Sequence, residues 1–181
     1  MLSGALYRAG DPELEAARRR ARELLARFNA AAFEAFAERR QLLAELFGGF
    51  GSGVVVNPPF RCDYGFNIHV GSNVFFNFDC VLLDCHRIDI GDDVQFGPGV
   101  HVYTATHPLD ADERRSGLER AEPVRIGAGA WIGGRAVICP GVSIGDNTVV
   151  GAGSVVVRSL PANVLAVGNP CRVVRSLAGA P

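Results

Sequence analysis

The sequence predicts a mainly β protein, a parallel β-helix of six-residue repeats preceded by a helical segment. Two observations carry that prediction. Aliphatic side chains recur every six residues at Ile126, Ile132, Ile138, Ile144, Val150 and Val156, and the same frame returns upstream at Val70, Phe76, Leu82 and at Ile90, Phe96, Val102. Composition also changes at Gly48: 20 of the 22 glycines lie at or beyond it. A helix needs a period near 3.6 and a half-buried strand a period of 2. A period of six fits neither, but it fits a chain in which each hexapeptide is one short strand plus one turn.

The elements follow in order. Asp11-Pro12-Glu13 reads as an N-cap, a proline at the first helical position and an acid in the first turn. Leu14, Ala17, Ala21, Leu24, Leu25 and Phe28 continue at helical spacing, and Asn29 is expected to break or recap the helix. The run Arg18-Arg19-Arg20 is read as the solvated face of that helix. A second helix carries Phe33, Phe36, Leu43, Leu46 and Phe47 and stops at Gly48-Gly49.

Three hexapeptides make one triangular coil, so residues 18 apart should stack: Ile126 under Ile144, Ile132 under Val150, Ile138 under Val156. Four residues after each of the first five rungs sit Ala130, Ala136, Val142, Thr148 and Ser154, small or β-branched side chains that suit a corner. The register breaks twice. Eight residues separate Leu82 from Ile90, with two extra near Cys85-His86. Twenty-four separate Val102 from Ile126, which leaves residues 108–125 as a loop thrown out from one corner. Eight of the 16 residues from Pro108 to Pro123 are charged, so the loop is solvated. The expected organisation is a helical segment over 1–50, a β-helix over 51–162 and a tail over the last coil at 163–181.

Composition narrows the function classes. Hydrophobic residues make up 48% and charged residues 20% of the 181, which argues against disorder. No apolar run approaches a membrane span. The first 15 residues hold Arg8, Asp11, Glu13 and Glu15 and no apolar stretch, so no export signal is expected and a cytoplasmic location is. The five cysteines form no C-x-x-C pair and are read as reduced, apolar thiols. Net charge is −1, which points to neither nucleic acid nor membrane. Its distribution is uneven. Residues 48–123 carry five arginines against eleven acids, and residues 124–181 five arginines against Asp146 alone. The C-terminal third is therefore the expected seat of an anionic ligand, and without lysine only arginine supplies the cations.

His107 stands where the prism gives way to the loop. Imidazole is a natural general base near neutral pH, and a histidine on a rigid corner is placed to face a cleft; an exposed loop histidine is the plainer alternative. His69 and His101 each precede a ladder residue and should point outward. A zinc hydratase on the same scaffold would use histidines five apart plus a third one coil earlier. Here His101 and His107 are six apart, so no metal is expected.

The stretches "CDYGFNIHVGSNVFFNFDCVLLD", "VYTATHPLD", "RSGLE" and "PVRIGAGAWIGGRAVICPGVSIGDNTVVGAGSVVVRSLPANVLAVGNPCRVVR", with the N-terminal helical segment, cover nearly the whole chain. In them the sequence resembles the hexapeptide-repeat sugar O-acetyltransferases of the maltose and galactoside kind. The resemblance implies a left-handed β-helix and a homotrimer with active sites between neighbouring prisms. It also implies direct transfer of acetyl from acetyl-CoA to a sugar hydroxyl. His107 matches the family's catalytic base, and the Gly134 N–H would be the oxyanion donor.

Asp63 and Asn77 match acceptor-binding positions, with Asp84 a further candidate. Asn77 and Asp63 are also readable as turn residues. Trp131, Gly134, Ala152, Val157, Arg158, Arg172 and Arg175 fall on the pantetheine and nucleotide path. There the arginine forks suit phosphate, or alternatively form a basic subunit edge. Trp131 precedes a rung and should point outward, onto the cofactor arm or an interface. Cys85 stands where the galactoside enzymes carry an acid, and Ala9 has no acceptor-binding aspartate. Both departures favour a maltose- or glucose-like acceptor. The alternatives are another hydroxyl acceptor, such as a galactoside or lipo-oligosaccharide, or a non-catalytic scaffold.

Overall fold

The computed structural model describes residues 1–32 and 34–179; the expectation for Phe33 lies outside them. The six-residue period winds into a left-handed parallel β-helix of about six turns. Three sheets form the faces of the prism. Face one stacks Gly49–Phe50, Ile68–Val70, Ile88–Ile90, Val124–Ile126 and Ser143–Ile144, extended by a bridge from Ile144 to Leu160. Face two stacks Val55–Val56, Phe75–Phe76, Gln95–Phe96, Trp131–Ile132, Val149–Val150 and Val164–Val167. Face three stacks Phe60–Cys62, Cys80–Leu83, His101–Tyr103, Val137–Ile138 and Val155–Val156.

The expected rungs pair as read: Ile126 with Ile144, Ile132 with Val150, Ile138 with Val156. The frame runs unbroken into the lower coils, where Val102 pairs with Leu82, Phe96 with Phe76 and Ile90 with Val70. Ile132, Ile138, Val150 and Val156 have no exposed surface. Each such side chain contributes roughly 1.5–3 kcal/mol relative to exposure. The lower coils hold larger rings. Phe76 and Phe96 stack at 4.5 Å, and Phe60 meets Phe76 edge-on at 5.8 Å. Strand spacing leaves no room between coils at the corners: a Cβ on Gly133 would lie 2.5 Å from the backbone nitrogen of Ala152.

Helix α1 spans Pro12–Ala30, capped by the Asp11 carboxylate, which accepts the Glu13 N–H at 2.9 Å. Asn29 does not break it. Its amide instead reaches the lowest strand of face three, donating to the Phe60 carbonyl at 3.0 Å and accepting the Phe60 N–H at 2.9 Å. Helix α2 spans Phe36–Leu46 and buries Leu42, Leu43 and Leu46 against the prism floor. Arg39 is buried too. It lies over the Phe28 ring and donates to the Val56 carbonyl at 2.7 Å. The two helices thus close the lower end of the prism. At the other end, Arg172–Ser176 folds back antiparallel on Val164–Val167.

Truncating an inner rung tests this core. Ile138→Ala removes a side chain enclosed between Val102 and Val156, and denaturant unfolding should show a loss of about 2–5 kcal/mol.

Candidate active site

The corner between faces three and one is where the chain inserts residues. The two extra residues after Leu82 have a counterpart one coil lower, because Cys62 and Val70 are also eight apart and both flank this corner. On the third pass the chain leaves the prism altogether. Thr104, fully buried, fixes the exit: its hydroxyl donates to the Leu83 carbonyl at 2.6 Å and accepts the His86 N–H at 2.9 Å. An outgoing arm, Ala105–Thr106, pairs antiparallel with a returning arm, Leu118–Ala121. Between them lies helix α3, Ala111–Arg115, capped by Asp110. The loop read as merely solvated is therefore a hairpin with a helical tip. The N-terminal strand Tyr7–Arg8 adds to its outer edge.

Local hydrogen bonds shape this loop corner. Asp84 has no exposed surface. Its carboxylate accepts the N–H groups of Asp63 at 3.0 Å, Tyr64 at 2.9 Å and Asn67 at 3.3 Å. These are the backbone donors that the two-residue insertion takes out of the strand ladder. Asp84, expected to meet substrate, is enclosed and committed to the backbone that carries Asp63. Burial pushes its pKa up to about 7, against the pull of those N–H bonds, and the nearby Asp63 charge adds to the rise.

Asp63 is half-buried and its carboxylate accepts the Cys85 thiol at 3.4 Å. Burial raises its pKa, while the Cys85 bond and the Arg18 charge oppose the rise. Arg18 departs from the solvated-face reading. It donates to the Tyr64 hydroxyl at 2.7 Å and to the Ala9 carbonyl at 2.5 Å, tying α1 to this corner. Tyr7 donates to Glu119 at 3.0 Å and lies beside the Cys85 thiol. Cys85 is buried, which holds its thiol at about 12. Tyr7, Arg18 and Glu119 are the site residues that sequence reasoning passed over. Glu119 stands in the stretch "RSGLE", and Arg18 in the arginine run read as a solvated face.

His107 is exposed one residue beyond the outgoing arm, beside a concavity of about 360 Å³ bordered by Leu6, Arg120 and Glu122. Gly134 lies elsewhere, on the corner between faces two and three, with Asn77 two coils below and Ala152 one coil above. The Asn77 side-chain oxygen accepts the Phe78 N–H at 2.8 Å. The Gly134 N–H has no acceptor among the described residues. Trp131 is 55% exposed on face two. Arg172 and Arg175 are exposed on the last strand, and Val157 and Arg158 are exposed high on the loop corner. One chain therefore gathers Asp63, Cys85 and His107 at one corner and Asn77, Gly134 and Ala152 at another. Face three separates them, six residues per side or roughly 20 Å of extended chain.

Among the described residues no three His, Cys, Asp or Glu side chains are grouped to hold a metal ion, and no helix is long and apolar enough to cross a membrane. The column of rungs, the capping helices and the arm from one corner are an architecture that the hexapeptide-repeat transferases share. Residues 1–51 match the maltose acetyltransferase hexapeptide capping motif, and residues 123–158 match the bacterial transferase hexapeptide of six repeats.

Nodulation protein L of Rhizobium meliloti is 47% identical over 96% of this chain and 94% of its own. A maltose O-acetyltransferase structure from Clostridium difficile superposes with a TM-score of 0.96 at 48% identity, covering 97% of this chain and 94% of that one. A galactoside acetyltransferase in complex with coenzyme A superposes at 0.94 with 38% identity, covering 97% and 88%. The chain belongs to the maltose and galactoside O-acetyltransferase family, and it is an acetyltransferase.

The buried carboxyl gives a pH test. Asp84 binds its proton more tightly when folded than an unfolded aspartate does, so it favours the folded state below about pH 4. That contribution is lost as pH rises through about 7. Asp84→Asn cannot titrate. The stability difference between wild type and this variant should shift against wild type between pH 5 and pH 8, read from urea midpoints.

Proposed function

We propose that the protein transfers the acetyl group of acetyl-CoA directly to a hydroxyl of a maltose- or glucose-like sugar, with His107 as general base. The observation that carries this reading is the division of the site. The loop corner offers a base beside polar groups fit for sugar hydroxyls, and the Gly134 corner offers an unpaired backbone donor beneath an arginine-bearing strand. Neither corner does the chemistry alone.

A ring of three copies brings the loop corner of one against the Gly134 corner of the next. The third face supports that arrangement. Val81, His101, Val137 and Val155 form an outward column of half-buried side chains on it, between the two half-sites, as a face turned toward a three-fold axis would. In such a groove the acceptor hydroxyl gives its proton to a His107 ring nitrogen as its oxygen attacks the thioester carbonyl. The resulting oxyanion rests on the Gly134 N–H. Its collapse expels the coenzyme A thiolate, which takes the proton back from the imidazolium.

Asp63 and Asn77 serve the acceptor, and Asp84 holds Asp63 in place. The coenzyme, whose binding the coenzyme A complex of the 38% identical neighbour supports, lies along Trp131, Ala152, Val157 and Arg158, with Arg172 and Arg175 on its phosphates. The likeness to the galactoside acetyltransferase makes a galactoside the second acceptor to assay.

A thiol-release assay over mono-, di- and oligosaccharides tests the acceptor; transfer confined to non-sugar hydroxyls overturns it. His107→Ala should lower kcat by roughly 10²–10⁴-fold with coenzyme A affinity retained. Arg172→Ala should weaken coenzyme A binding and spare the sugar KM. Light scattering should give a trimer, whereas a monomer at micromolar concentration would contradict a shared site.

A further inference from the structure

The hairpin that leaves the loop corner sets a carboxylate across from the proposed base. The outgoing and returning arms pair Ala105 with Ala121 and Thr106 with Arg120. One step further in that register, His107 stands opposite Glu119. The ladder stops there for a covalent reason: the next residue, Pro108, has no N–H to give. Directly opposed residues of antiparallel strands project to the same side with their Cβ atoms about 4.5–5.5 Å apart. On the other side of the returning arm, Tyr7 pairs with Glu119, and its hydroxyl donates to Glu119 Oε2 at 3.0 Å. Oε1 has no partner among the described residues. Glu119 is half-buried and held by one oxygen with the other free.

The remaining charged groups around His107 are placed differently. Glu113 of α3 and Arg120 and Glu122 of the returning segment are exposed and border the concavity beside it. Asp63, with Arg18 near it, lies deeper in the corner and is engaged by Cys85. Only Glu119 combines the facing register with a fixed carboxylate.

We propose that Glu119 is a positioning residue, its carboxylate accepting the N–H of one His107 ring nitrogen so that the other ring nitrogen is left to take the acceptor's proton. The proton moves only from the acceptor oxygen to the imidazole; Glu119 stays ionised and supports the imidazolium that forms. Tyr7 in turn fixes Glu119, which assigns the N-terminal strand a part in the chemistry. This rests on the reading of His107 as the base.

Glu119→Gln tests it, because glutamine keeps an oxygen for the Tyr7 hydroxyl and so keeps the strand anchored. The kcat should fall by at least about 10-fold with the KM for acetyl-CoA unchanged. The acid limb of the kcat–pH profile should move to lower pH, since a carboxylate favours the protonated imidazole. Tyr7→Phe, which frees the carboxylate without removing it, should lower kcat less and leave that limb in place. An unchanged kcat and limb in Glu119→Gln overturns the proposal. So does a raised sugar KM with the limb unmoved, which would make Glu119 an acceptor ligand. His107→Ala is measured alongside. If it keeps full turnover, the base reading itself fails; if it collapses while Glu119→Gln is silent, only the present inference does.

Discussion

Everything in this molecule depends on one spacing, the strand-to-strand distance between successive coils. It is short enough that backbone groups pair from coil to coil, and it admits no side chain at the tightest corner positions. A Cβ at Gly133 would meet the coil above at 2.5 Å, and one at Gly127 would meet the Asp146 side chain at 2.3 Å. Given that spacing, each inward position has one neighbour above and one below. An aliphatic or aromatic side chain at each fills the axis. The rigid column that results lets distant stretches of sequence hold fixed places on the outside.

The same constraint explains where chemistry enters. A coil can lengthen only by pushing chain outward, and this protein does so at a single corner. Two extra residues on the first two passes become a whole hairpin on the third. The backbone donors of the first insertion are gathered by Asp84, and the exit of the hairpin is pinned by Thr104. Asp63, Cys85 and His107 stand on or beside the extra residues, and the buried Asp84 and Thr104 behind them serve the backbone.

Much of this was legible in the sequence because the rung pattern is periodic and local. Ile126, Ile132 and Ile138 announce their partners by counting. The divergence comes where contacts are long-range and polar. Asn29 reads as a helix breaker until Phe60, 31 residues away, offers both of its backbone groups. Arg18 reads as a surface charge until Tyr64 and the Ala9 carbonyl take it up. Asp84 reads as a ligand because its burial depends on the fold of the whole corner. Tyr7 and Glu119 carry no periodic signal, since their pairing closes a three-stranded sheet from segments 112 residues apart.

The floor of the prism has a consequence for how molecules behave in a crowded solution. Asn29 occupies both hydrogen-bonding groups of Phe60, Arg39 takes the Val56 carbonyl, and Arg40 reaches the Gly51 carbonyl. The opposite end is closed by a strand running the wrong way for another parallel coil. A solenoid left bare at its ends would template its own kind and grow into fibres. Here a few amide and guanidinium groups act as chain terminators at the floor of the prism.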